Sequence, residues 1–257
     1  MIELPAAAAA YDARAAEYDT WYDRNAALYQ AELELVDALL QPLRAVGPGL
    51  EIGAGTGRFA GPLGIDVALE PSPEMGAFAR QREVQVIEGV AEELPFGRAE
   101  FGYTAFLTSL CFIPDRARAL AEARRVTRPG GGIVVAFLNR ASELGAQLDA
   151  TKEEDPFYAD ASFFTPDELG EVLRAAGYTP EVWAQLHPAE KPTSSDGADT
   201  GLYCAVRARL APGDAQGARS VASERGASPA GEAAADGDAA ADGEAAGGGA
   251  TADGDGS

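Results

Sequence analysis

Between residues 46 and 210, apolar runs and helix-period segments alternate along the chain. The apolar runs at 46–52, 65–70, 83–87, 101–106 and 133–138 are short, rich in β-branched and aromatic residues, and read as strands. Helical stretches separate them: a short one over 59–63, one opened by Ser72 as N-cap with Pro73 at the first position, and one over 114–126 with Leu120 facing inward. Strands alternating with helices in this way predict an α/β fold with a largely parallel sheet. Further along, 139–152 reads as a helical insertion. Thr165, Pro166 and Glu168 form a capping box opening a helix that stops at Gly177. The runs at 178–187 and 202–210 read as two more strands.

Upstream, residues 6–45 read as two helices. Tyr11, Ala15, Tyr18 and Tyr22 share one face of the first. Asn25 is placed to cap the second, with Leu28, Leu35, Val36, Leu39 and Leu40 along its apolar side. The aromatic stripe suits either plain core packing or a lid over a pocket. Phe157, Tyr158, Phe163 and Phe164 carry the same two readings, as pocket wall or as loop staple.

The first strand runs into Glu51, Gly53, Ala54, Gly55, Thr56, Gly57 and Arg58. Glycines at alternate positions let backbone approach a ligand closely, and the helix that follows points free N–H groups back at it. The dinucleotide fingerprint G-x-G-x-x-G requires a third glycine where Arg58 stands, which disfavours a nicotinamide dehydrogenase. A carboxylate at the strand end repels a pyrophosphate and suits a zwitterionic or cationic ligand. The second run ends on Glu70, whose carboxylate can accept from both hydroxyls of a ribose.

The pattern [LVD]-[DE]-[VIL]-G-x-G-x-G over 50–57 resembles motif I of the class I S-adenosylmethionine-dependent methyltransferases, in their small-molecule, ubiquinone/menaquinone methyltransferase-like branch. The resemblance extends over roughly residues 10–210. It implies a Rossmann-like, doubly wound sheet of seven strands, mostly parallel with the last antiparallel, under an N-terminal helical cap at 1–45. It implies S-adenosyl-L-methionine as cofactor, with Glu51, Gly53, Ala54, Gly55 and Gly57 around the methionine and adenosine, and Glu70 followed by Pro71 at the ribose. Met75, or Phe78 on the same helix, would pack beside the adenine. The segment Gly89 to Phe96 resembles the family's G-D-A-E-x-L-P-F adenine loop, with Val90 in place of its acid. Adenine recognition then falls to Ala91 and Glu92. Tyr18 belongs to a cap segment that in the family lies over the cofactor. Thr108 and Ser109 read either as contacts to the methionine end or as hydroxyls capping a loop. The stretch Leu120 to Gly131 resembles the family's L-x-E-x-x-R-V-x-[KR]-P-G-G, where the glycines, with Gly132 after them, make a helix-to-strand turn.

Charge narrows the acceptor. Asp and Glu number 41 against 20 Lys and Arg, a net charge of -21. Phosphate contacts need cations, so nucleic acid is disfavoured as substrate. Cys111 and Cys204 lie in apolar runs and read as buried thiols, and no metal-ligand cluster stands out. No run approaches a membrane span and no signal peptide is evident, so a cytoplasmic protein is expected. From residue 211 onward the chain is Ala, Gly, Asp and Glu, a composition that predicts a disordered acidic tail. The reading is transfer of a sulfonium methyl to a small molecule by in-line displacement. The alternative is a cofactor-binding regulatory or scaffold protein without transfer. No catalytic base stands out, and His187 reads as structural.

Overall fold

A computed structural model describes residues 4–186, 193–194 and 201–211. The seven expected strands are β1 (Gly49–Ile52), β2 (Val67–Glu70), β3 (Gln85–Glu88), β4 (Phe101–Leu107), β5 (Thr127–Leu138), β6 (Tyr178–Leu186) and β8 (Tyr203–Leu210). A two-residue strand, β7 (Thr193–Ser194), joins the outer edge beside β6. The sheet order is β3-β2-β1-β4-β5-β8-β6-β7. Pairs from β3 to β5 are parallel, whereas β8 runs antiparallel to both β5 and β6. The order reverses between β1 and β4, and open α/β sheets bind ligands beyond the strand ends at such a point.

Strand residues alternate between two cores because successive side chains point to opposite faces. On β5, Ile133, Val135 and Phe137 enter one core, with helices α6 (Arg116–Val126) and α8 (Pro166–Ala175) over it. Val134 and Ala136 enter the other, together with Leu35, Val36, Leu39 and Leu40. Local signals end several elements. Ser72 accepts from the Met75 N–H at the start of α5 (Pro73–Gln81), and Thr165 with Glu168 closes the capping box of α8. Gly177 ends the following turn at φ +85°.

Four local expectations are corrected. The segment 6–45 forms three helices, α1 (Ala6–Asp12), α2 (Ala15–Arg24) and α3 (Ala26–Arg44), because the chain leaves helical geometry at Arg14 and Asn25. Asn25 does not cap α3; its amide donates back to the Trp21 carbonyl at 2.8 Å and closes α2. The run at 46–52 is extended only from Gly49, since Gly47 (φ +154°) and Pro48 make the entry turn. Residues 127–132 are a bulge inside β5 rather than a turn before it. The partner of Phe101 is Thr127 and that of Tyr103 is Gly132. A Cβ on Gly131 would lie 2.2 Å from the Gly102 carbonyl oxygen, so the bulge needs glycine.

The short helix α4 (Ala60–Leu63) follows the glycine turn, and α7 (Glu143–Thr151) occupies the insertion after β5. No helix of the described residues is long and apolar enough to cross a membrane. His187, and the tail beyond Ala211, lie outside the described residues.

Candidate functional site

The glycine turn is built around Glu70. Its two carboxylate oxygens accept from the Gly55 N–H at 2.7 Å and the Ser72 N–H at 2.9 Å. This fixes the carboxylate over the turn and leaves each oxygen a lone pair for a ligand hydroxyl. Gly53, Gly55 and Gly57 all have positive φ. A Cβ on Gly55 would stand 3.3 Å from Met75 Cε and 3.7 Å from Tyr18, in the open space above the turn. A Cβ on Gly57 would instead meet Ala79 Cβ at 2.9 Å, so this glycine serves helix packing.

That open space is a cavity of about 660 Å³. Of the residues singled out in the sequence, Tyr18, Gly53, Gly55, Glu70, Pro71, Met75, Val90, Ala91, Glu92 and Thr108 border it. Glu51, Ala54 and Gly57 do not. Ala54 donates its N–H to the Leu69 carbonyl. Glu51 is fully buried beneath the turn, where the Ala60 N–H donates to its carboxyl and its Oε2 has no partner. Phe157 and Tyr158 border the cavity, whereas Phe163 and Phe164 pack into the sheet core, so the loop aromatics divide between wall and staple. Thr108 adopts φ +61°, unusual for a β-branched residue. Its hydroxyl donates to the Leu107 carbonyl at 2.7 Å, and the Ser109 hydroxyl donates to the Ile52 carbonyl at 2.5 Å. Both therefore act as loop caps, and both also bound the cavity.

The cap is tied down by its acids and lines the cavity with its phenols. Asp12 accepts from the Ser72 hydroxyl at 2.7 Å. Asp19 accepts from Arg58 at 2.7 Å and from Arg82 at 2.8 Å. Arg58, which spoils the dinucleotide fingerprint, thus clamps α2 to the glycine turn. Tyr11 and Tyr18 stand edge to face at 5.3 Å, Tyr11 reaches Phe157 at 5.3 Å, and the Tyr18 and Tyr22 hydroxyls share a 2.7 Å hydrogen bond.

The described lining carries four acids, Glu32, Glu70, Glu92 and Asp155, and no lysine or arginine. An anionic pyrophosphate has nothing to pair with there. A sulfonium with an α-ammonium does, and Glu70 above the Gly55 cradle suits a ribose, so the residues present fit S-adenosylmethionine. Glu32, and Tyr203 at the start of β8, are among the lining groups that were not singled out in the sequence. Glu32 was legible as an acid within the apolar stripe of α3, with Leu28 and Val36 four residues to either side. Nothing local marks Tyr203.

Burial governs ionisation here. It pushes the Glu70 carboxyl up to about 7, against the two N–H donors, and the Glu32 carboxyl up to about 8. Glu51 is raised well above the carboxylate range, by burial first and the charge of Glu70 second. Carboxyls raised on folding stabilise the fold below their unfolded pKa, and that contribution disappears as pH climbs through the folded value. The ligand-free protein is therefore expected to lose stability between about pH 5 and pH 8.5, by on the order of a few kcal/mol. Denaturant titrations across that window measure it, and a flat profile would contradict the burial of these acids. Glu122, held low by Arg125, titrates below the window and does not mask the effect.

Comparison with known proteins agrees with this geometry. The family model described as "Methyltransferase domain" matches residues 50–135. A crystal structure of a SAM-dependent methyltransferase of Thermotoga maritima, described as a "possible histamine N-methyltransferase", is 36% identical with a TM-score of 0.72. The similarity covers 77% of this chain and 97% of that one. An uncharacterized protein of Methanocaldococcus jannaschii is 34% identical over 203 residues, 77% of this chain and 97% of its own. The 27-O-demethylrifamycin SV methyltransferase of Amycolatopsis mediterranei is 30% identical over 195 residues, 70% of this chain and 72% of its own. With motif I, the strand-end acid and the sheet order in the same chain, this protein belongs to the class I S-adenosylmethionine-dependent methyltransferases, and S-adenosylmethionine is its cofactor.

Proposed function

We propose that this methyltransferase acts on a small molecule with an apolar body, bound under the cap in the same cavity as the cofactor. The observation that carries the reading is that one cavity of about 660 Å³ extends from Glu70 on β2 to Tyr203 on β8. That volume falls within the range of about 300–1,000 Å³ that suits small ligands. Among the described residues, the large apolar side chains left exposed are Trp21, Leu28 and Leu144, and all three border this cavity. They offer an apolar entry rim.

The cofactor supplies a methyl on a sulfonium whose leaving group is a neutral thioether. The chain's own share is to hold the ribose on Glu70, to seat the acceptor in line against the aromatic wall, and to exclude water with the cap. Tyr11, Tyr18, Tyr22, Tyr158 and Tyr203 are all pushed up by burial, so these phenols remain neutral and position rather than deprotonate. Burial also pushes the Cys111 thiol up to about 12, which removes it as a nucleophile.

The test is S-adenosylhomocysteine release with a panel of small amines, phenols, thiols and alcohols, set beside protein and nucleic-acid acceptors. Turnover with a small acceptor is the expected result. Transfer confined to a macromolecule would overturn the reading. Tight cofactor binding with no turnover on any acceptor would favour the regulatory alternative.

A further inference from the structure

The cavity has two halves set by the sheet order. Gly53, Gly55, Glu70, Met75 and Val90 border it over β1, β2 and β3. Glu32 borders it on the other side of the switch point, on a helix that packs against β5, β6 and β8. Glu32 is only 7% exposed, yet its oxygens are not sealed in the core, and among the described residues no hydrogen bond or ion pair reaches it. The other lining acids are engaged. Glu70 holds two backbone N–H groups, Asp155 Oδ1 accepts from the Phe157 and Tyr158 N–H groups, and Glu92 accepts from the Asp115 N–H. Tyr203, 3% exposed and also lining the cavity, has an unpartnered hydroxyl.

An unpaired acid in an aromatic cavity is costly unless a ligand completes it. The ionisable groups that feel its charge are four phenols, Tyr18 and Tyr22 from α2, Tyr158, and Tyr203 from β8. From β4, β5, β6 and the turn before α4 come the apolar Leu107, Leu138, Leu186 and Phe59. No described cation borders this half. Aromatic faces and one carboxylate are the chemistry that recognises an organic ammonium.

We infer that the acceptor is a small amine, and that Glu32 binds its ammonium and takes the proton that must leave before the nitrogen can attack. This rests on the small-molecule reading above. As the ammonium binds, the Glu32 carboxyl gives its own proton to solvent; in the step, one ammonium N–H bond then breaks and a Glu32 carboxyl O–H bond forms again. The electron pair stays on nitrogen and becomes the nucleophile. Burial favours the neutral amine and neutral carboxyl over the charged pair, so the cavity promotes this transfer.

The test uses the full chain saturated with S-adenosylhomocysteine, and amine probes from methylamine to 2-phenylethylamine, with 2-phenylethanol as the neutral control. Calorimetry is run near pH 7 in two buffers of different ionisation enthalpy. In the native protein, 2-phenylethylamine is expected to bind at least about tenfold tighter than 2-phenylethanol. Its binding releases close to one proton, because Glu32 starts protonated. In Glu32→Gln the amine preference and the Glu32 proton release are lost, while S-adenosylhomocysteine affinity stays within about threefold. Glu32→Asp keeps the charge and restores part of the preference. Binding of none of the amines, or equal amine affinity in Glu32→Gln and the native protein, overturns the assignment. If alcohols or thiols turn over and amines do not bind, the amine inference fails while the small-molecule reading stands. Transfer to macromolecules alone removes the reading on which the inference rests.

Discussion

Gly55→Val is expected to abolish measurable S-adenosylmethionine binding in a protein that still folds. Gly55 has φ +57°, and its Cβ position points into the cavity, 3.3 Å from the flexible end of Met75 and 3.7 Å from Tyr18. Alanine there meets no backbone and costs roughly 1–2 kcal/mol in left-handed strain. Valine adds two methyls in the space over the turn, above the Glu70 carboxylate, and cannot withdraw them because β-branching restricts its rotamers. The core beneath is untouched, since the clash is with the cavity. The expected loss is at least about 100-fold in affinity, or close to 3 kcal/mol, by calorimetry. Native affinity in a folded Gly55→Val protein would remove the turn from the cofactor site.

Glu70→Ala is expected to weaken the cofactor by a similar factor for a different reason. The carboxylate receives the Gly55 and Ser72 N–H groups and is buried. Its removal strands two buried donors, each costing about 1–3 kcal/mol, so the turn relaxes and stability falls. It also removes the acceptor proposed for the ribose hydroxyls, and hydrogen bonds to a charged group contribute about 1.5–3 kcal/mol each. Glu70→Gln separates the two effects. Its side chain keeps the shape and one acceptor oxygen, so stability recovers in part while affinity stays low. Native affinity in either variant would place the ribose elsewhere. The native protein should also bind more tightly as pH rises through about 7, where Glu70 becomes a carboxylate.

Local features were legible wherever the physics is local. The capping box at Thr165, the Ser72 cap and the alternate glycines of 53–57 act over three or four residues, and the structure places them where their spacing indicates. Asn25 illustrates the limit. An Asn beside a helix break serves either neighbour, and its amide turned to α2. The bulge at 128–131 escaped for another reason. It exists because Gly102 and Gly131 approach across two strands, and neither glycine declares its partner. In the cap, Tyr11-Asp12 and Tyr18-Asp19 were visible as part of an aromatic face. That the tyrosines line the cavity while the aspartates anchor to Ser72, Arg58 and Arg82 depends on residues 39 to 63 positions away.

By itself the sequence determined the parallel α/β order, the glycine turn with its strand-end acid, and the departure from the dinucleotide fingerprint at Arg58, because these follow from period, spacing and residue type. Only the tertiary structure decided which acids matter and how. It buried Glu51 under the turn and committed Glu70 to two backbone donors. It also brought Glu32 from α3 and Tyr203 from β8 to one cavity across 171 residues of chain. Desolvation and the absence of a partner are properties of that assembled space. A carboxylate's spacing to its chain neighbours reveals where it sits on a helix, and the folded cavity alone reveals what it faces.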